Sequence, residues 1–97
     1  MDPPPPAGPP LSLLEATHTF PGPYDFKAFG PGTEGFAIAV ECAAVEIVGA
    51  ERVTCRVRAT RSGRKTCVSV TAVVERAEQV QEIYQRLTGV PGVFLIL

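Results

Sequence analysis

Two stretches of this chain alternate strictly, and together they commit it to a β-hairpin. Val53, Cys55, Val57 and Ala59 alternate with Thr54, Arg56, Arg58 and Thr60. Val68, Val70, Ala72 and Val74 alternate with Cys67, Ser69, Thr71 and Val73. Successive strand side chains point to opposite faces, so each stretch carries one apolar face and one largely polar face. A two-residue turn at Gly63-Arg64, with Ser62 facing Lys65, predicts the apolar pairs Val53–Val74, Cys55–Ala72, Val57–Val70 and Ala59–Val68. It sets Arg56 opposite Thr71, Arg58 opposite Ser69 and Thr60 opposite Cys67 on the other face. A one-residue slip would place arginine against valine throughout. Glycine at the first turn position suits a type II′ turn.

The flanking segments supply the remaining elements. Tyr24 to Phe29 alternates, with Tyr24, Phe26 and Ala28 on one side and Asp25, Lys27 and Phe29 on the other, and reads as a short strand. Gly30-Pro31-Gly32 is expected to stop it. Thr33 is placed to cap a helix with Glu34 in its first turn, where the helix dipole favours a negative charge. Phe36, Val40, Ala43, Ala44, Ile47 and Val48 follow at near-helical spacing, and Gly49 supplies a stop. So apolar a run also reads as a buried strand; the cap and the alanines favour helix. Ala77 to Leu87 is a second helix, with Val80, Ile83, Tyr84 and Leu87 on one side and Glu, Gln and Arg opposite. Val93 to Leu97 is a final apolar strand. The order strand, helix, strand, strand, helix, strand predicts an α+β fold. With right-handed crossovers it gives a ferredoxin-like βαββαβ plait, a four-stranded antiparallel sheet with both helices on one face.

Length and composition bound the rest. Ninety-seven residues suffice for one compact domain and are too few for two. Six of the ten prolines fall in residues 1–10, so residues 1–19 are expected to be a proline-rich mobile tail and 20–97 the domain. Leu11 to Thr19 could form one weak turn of helix. A proline-rich ligand for a partner domain is the other reading of the tail. Net charge is −1, which gives no global attraction to nucleic acid or membrane. The longest apolar run, Phe36 to Val48, is too short for a bilayer and contains Glu41 and Glu46. Three cysteines, at 42, 55 and 67, fit reduced thiols in a cytoplasmic protein. They make no metal-ligand spacing with the single His18, so neither a metal nor a cofactor is expected.

Two motifs carry a resemblance. Phe20-Pro21-x-Pro23-Tyr24-x-Phe26-Lys27-x-x-Gly30 resembles the opening of the YbeD-like family of small bacterial proteins of uncertain function. Glu78-Gln79-Val80-x-x-Ile83-Tyr84-x-x-Leu87, followed by a short apolar strand, resembles that family's close. The resemblance covers about residues 20–97. It implies a ferredoxin-like fold similar to ACT-type regulatory domains, and a lipoate-related regulatory role that has been suggested for family members. The family's Gly-x-Tyr-x-Ser pattern is altered here: the spacing runs from Gly63 to Ser69, and Cys67 stands where the tyrosine is expected.

Charge then singles out a candidate site. Six of nine Lys and Arg lie between Arg52 and Lys65, and no acid falls between Glu51 and Glu75. Arg56 and Arg58, with Ser69, Thr71 and Lys27, are expected on the open sheet face. Arginines at i and i+2 project from one side and can grip a carboxylate or phosphate with forked donors. The bland alternative is a charged face that only keeps the sheet soluble. Gly30, Gly32 and Thr33 open a helix, whose free N–H groups can hold an anion; the bland alternative there is a tight turn and a cap. Cys55 is expected as a small buried hydrophobe, Cys67 as the most reactive thiol. The open face lacks the aromatic platforms that bind nucleic acid, and no nucleophile–base pair is forced together. Together with what the family resemblance implies, the basic open face gives the expected function: a non-enzymatic regulatory module sensing a small anionic metabolite. The competing expectation is a protein-interaction domain working through its open face or an edge strand. A homodimer enters through the last strand, which is apolar on both faces.

Overall fold

A computed structural model describes residues 8–60 and 62–97. The proline-rich tail expected from the sequence lies outside the described residues over 1–7, as does Arg61. The elements run in the order α1 (Leu11–Thr17), β1 (Gly22–Pro31), α2 (Glu34–Val48), a 3-10 turn over Ala50–Arg52, β2 (Val53–Ala59), β3 (Lys65–Val74), α3 (Ala77–Thr88) and β4 (Leu95–Ile96). The strands form one antiparallel sheet in the order β2-β3-β1-β4.

Parity organises the sheet. On one face Phe26, Ala28, Val68, Val70, Ala72 and Val74 are almost fully buried. They meet Phe36, Val40, Ala43 and Ala44 of α2 and Val80, Ile83, Tyr84 and Leu87 of α3 in a single core. The opposite face carries Asp25, Lys27, Arg56 and Arg58 in the open. Thr33 caps α2 through its hydroxyl, which accepts from the Phe36 N–H at 3.2 Å, and Gly49 (φ 96°) ends the helix. Both ends of α2 thus fall where the sequence signals them.

The hairpin register differs from the expected one by two residues. Val53 pairs with Ala72, Cys55 with Val70, Val57 with Val68, Arg56 with Ser69 and Arg58 with Cys67. The reason is the turn. Thr60 N–H donates to Lys65 O at 2.9 Å, and Gly63 N–H donates back to Thr60 O at 2.9 Å. Gly63 therefore closes a four-residue loop with φ 72° rather than opening a two-residue turn. A two-residue slip preserves parity, so every side chain keeps its expected face.

Two further differences enlarge the core and the sheet. Leu11–Thr17 is a two-turn helix, and its Leu14 is 1% exposed within the core cluster. The core thus reaches ahead of the expected boundary at residues 19 and 20. The chain before it also touches α3: Gln81 Nε2 donates to Pro9 O at 3.1 Å. A Cβ on Gly8 would fall within 2.3 Å of the Tyr84 ring. β1 runs past its expected stop, with Gly30 opposite Thr66 and Pro31 opposite Lys65. At the other end β4 is shorter than expected, although Leu97 still exchanges both backbone hydrogen bonds with Lys27.

Leu14→Ala should lower unfolding free energy by about 2–4 kcal/mol, the usual loss for a buried leucine, measured by urea denaturation. A value near zero would show that α1 is not part of the core. Gly63→Ala meets no atom within 4 Å, so its expected loss of about 1 kcal/mol is backbone strain alone. Asparagine there should cost less, because it tolerates positive φ.

Candidate functional site

The open sheet face is organised as rows across the strands. Arg56 (β2), Ser69 (β3) and Lys27 (β1) stand side by side, with Leu97 beyond Lys27. The next row is Arg58, Cys67, Phe29 and Leu95. The third is Thr54, Thr71 and Asp25. Adjacent strands lie about 4.8 Å apart, so a hydroxyl sits midway between two cations in the first row. A shallow recess of about 750 Å³ opens over these rows. It is lined by Lys27, Arg56, Arg58, Cys67 and Ser69, with Asp25 and Thr71 at one end.

The recess is cationic because Lys27, Arg56 and Arg58 outnumber its one acid, Asp25. Thr71 Oγ1 donates to Asp25 Oδ1 at 2.6 Å. Among the described residues, Lys27, Arg56 and Arg58 form no ion pair; Arg52 instead takes Glu75 at 2.9 Å, and Arg86 takes Glu46. Those pairs are exposed and contribute little to stability. The face also has an apolar end. Phe94, Leu95 and Leu97 are each close to half exposed or more, and the Lys65 ammonium lies 5.1 Å from the centre of the Phe94 ring.

Of the residues that the sequence nominates, the fold gathers Lys27, Arg56, Arg58, Ser69 and Thr71 around this recess. Gly30, Gly32 and Thr33 lie apart from it. Gly30 packs against the Phe36 ring, where a Cβ would fall 2.3 Å from Cζ. The Gly32 N–H donates to Arg64 O at 3.0 Å, and the Thr33 N–H to Pro31 O at 2.8 Å. Two donors of the would-be anion cradle are thus spent on pinning the hairpin turn and the start of α2. Asp25 and Thr54 complete the recess without having been nominated, although their place in the alternation puts them on this face.

The three cysteines are free thiols. Cys55 is half-buried on the helix side of β2, and burial, with the nearby Glu41 carboxylate as the smaller cause, pushes its pKa up. Cys67 lies on the open face between Arg58 and Phe29, with its sulfur 4.0 Å from the Ser69 hydroxyl. Cys42 is exposed on α2. No helix among the described residues is long and apolar enough to cross a membrane.

The profile of a protein family of unknown function, DUF493, matches residues 15–97. The chain belongs to this family. It is the family of the YbeD-like proteins, to which the two terminal motifs point. The match begins at Glu15, inside α1, and takes in every strand of the sheet. No curated protein matches the chain.

Cys55 should be the slowest of the three thiols to react with iodoacetamide. Only the thiolate attacks, and a raised pKa leaves less of it near pH 8.5. The same shift makes folding favour the protonated thiol. Its contribution to stability is complete below the ordinary thiol pKa and is lost as pH rises through the folded value. Peptide mapping after timed alkylation reads the order; equal rates at Cys55 and Cys42 would contradict it.

Proposed function

We propose that this protein is a non-enzymatic regulatory module that binds a small anionic metabolite on the open face of its sheet. The row Arg56, Ser69, Lys27 carries the reading. Two cations without an ion-pair partner among the described residues flank a hydroxyl, which is a donor set suited to a carboxylate or phosphate. The recess above it is of the size that small-molecule sites occupy. Phe29 and Leu95, in the row that continues from Arg58 and Cys67 beyond the recess, offer an apolar surface to the hydrocarbon part of such a ligand, and octanoate and lipoate are the first candidates through the suggested role of the family.

The finer fold assignment belongs to the same proposal. The strand order β2-β3-β1-β4, taken from the other edge, is 4-1-3-2. That order, with helices in both crossovers, supports a ferredoxin-like plait akin to ACT-type regulatory domains. In this reading the protein works in the bacterial cytoplasm, and α1 is an addition to the plait.

Thermal denaturation with lipoate, octanoate and single amino acids at millimolar concentration tests the proposal. Ligand at ten times its Kd adds about 1.4 kcal/mol, which in a domain of this size raises Tm by roughly 5 °C or more. Arg56→Ala and Lys27→Ala should each abolish the rise. Absence of any shift with all of these ligands would overturn the small-anion reading.

A further inference from the structure

One edge of the sheet is left open with a chemistry of its own. β2 is an edge strand. Because Thr60 N–H bonds to Lys65 O, the alternating ladder directs the backbone groups of Thr54, Arg56 and Arg58 toward β3. Those of Cys55, Val57 and Ala59 point outward. Among the described residues, no backbone bond outside the ladder reaches these three residues. The side of β2 that should be buried is also bare. Val57 faces the helices opposite the fully buried Val68, yet it is 58% exposed, because α2 covers only the first part of β2. Along α2, Ile38, Cys42 and Val45 share a stripe with Glu41, which lies close enough to Cys55 to act on its thiol. Ile38 is 53% exposed. The edge thus offers free main-chain donors and acceptors, an apolar ledge on the helix side, and Arg56 and Arg58 on the open side.

We propose that β2 takes an extended peptide of a partner protein as a fifth strand, one whose residues alternate between acidic and apolar. Strand addition supplies affinity through main-chain bonds and specificity through alternate side chains. The acidic residues stand beside Arg56 and Arg58 on the open face, and the apolar ones lie on Val57 and the Ile38 stripe. Glu41 on the helix side repels acids there and so fixes which way the alternation reads. Charge also argues against a second copy of this chain as the occupant. A two-fold pairing of β2 with itself that keeps the helices on one side sets Arg56 opposite Arg56 when centred on Arg56. Centred on Val57, it sets Arg56 opposite Arg58. Like charges directly opposite are destabilising. The inference is independent of metabolite binding, since it needs the outward backbone of β2, which a small anion does not use.

The test uses the full chain and a labelled peptide of about eight residues alternating glutamate and valine, a length that spans β2. Fluorescence anisotropy should show saturable binding, and amide shifts should concentrate at Cys55, Val57 and Ala59. Methylating the peptide nitrogens that face β2 should weaken binding about tenfold or more, the worth of one backbone hydrogen bond at the upper end of its range. Val57→Pro removes only an outward N–H, which an edge strand tolerates, and should weaken binding equally. Arg56→Glu combined with Arg58→Glu should transfer preference to a lysine–valine peptide. Equal binding of the methylated peptide, or undiminished binding of the glutamate peptide by the charge-reversed variant, would overturn the proposal. So would no binding at all, or sedimentation as a dimer with the same three amides protected. A protein that binds this peptide yet shows no thermal shift with carboxylates keeps this inference and loses the metabolite reading; the converse separates them equally.

Discussion

The pairing of β3 with strands on both sides governs the rest of the molecule. β3 is central: β1 lies against one side and β2 against the other. Val68, Val70, Ala72 and Val74 are each 1% exposed or less. Four inward positions at every second residue leave no freedom in which face of β3 is buried, and its partners inherit that choice through the ladder. Phe26 and Ala28 are carried to the core face, Lys27 to the open face, and Arg56 and Arg58 follow Ser69 and Cys67 outward. The helices then need only cover one apolar surface.

That dependence explains what was legible in the sequence and what was not. Alternation encodes parity, and parity is robust: the hairpin register differs by two residues and no side chain changes face. Register count is different information. It is carried by the turn, and a glycine at position 63 fits either the start of a two-residue turn or the left-handed close of a four-residue loop. Val57–Val70 and Val57–Val68 are equally apolar pairs, so the strand sequences could not choose between them. The slip has a consequence for the candidate site. It moves Ser69 from Arg58 to Arg56, which completes the row with Lys27 on one line across the sheet.

The helix at Leu11–Thr17 was hidden for a different reason. It has no side-chain cap, no acid in its first turn and no base in its last, so none of the usual boundary signals is present. Its order derives from Leu14 inserting into the core, a tertiary effect that local propensity does not carry. The Gly30-Pro31-Gly32-Thr33 segment misled in the opposite sense. Its glycines suggested an anion cradle, yet Gly30 is needed because the Phe36 ring fills the space of a Cβ, and Gly32 because the hairpin turn approaches within 2.6 Å of one. Close approach of the Phe36 ring and of the hairpin turn accounts for a glycine at both positions.

Coverage of the sheet is uneven, and this unevenness is where function is to be sought. α2 and α3 serve β1, β3 and the start of β2, after which the helical layer ends and Val57 is left at the edge. On the opposite face no element among the described residues covers the sheet, yet the residues there are not uniformly solvating: cations gather over β2 and β1, and apolar side chains over β4. The self-repulsion of Arg56 and Arg58 is a standing electrostatic cost that a core of neutral residues does not recover. An anion placed between Arg56 and Lys27, or an acidic strand beside β2, removes it. The two proposed arrangements draw on different backbone but on the same arginines, so an anion in the recess would lower the affinity for an acidic strand, and the strand would lower the affinity for the anion to the same degree.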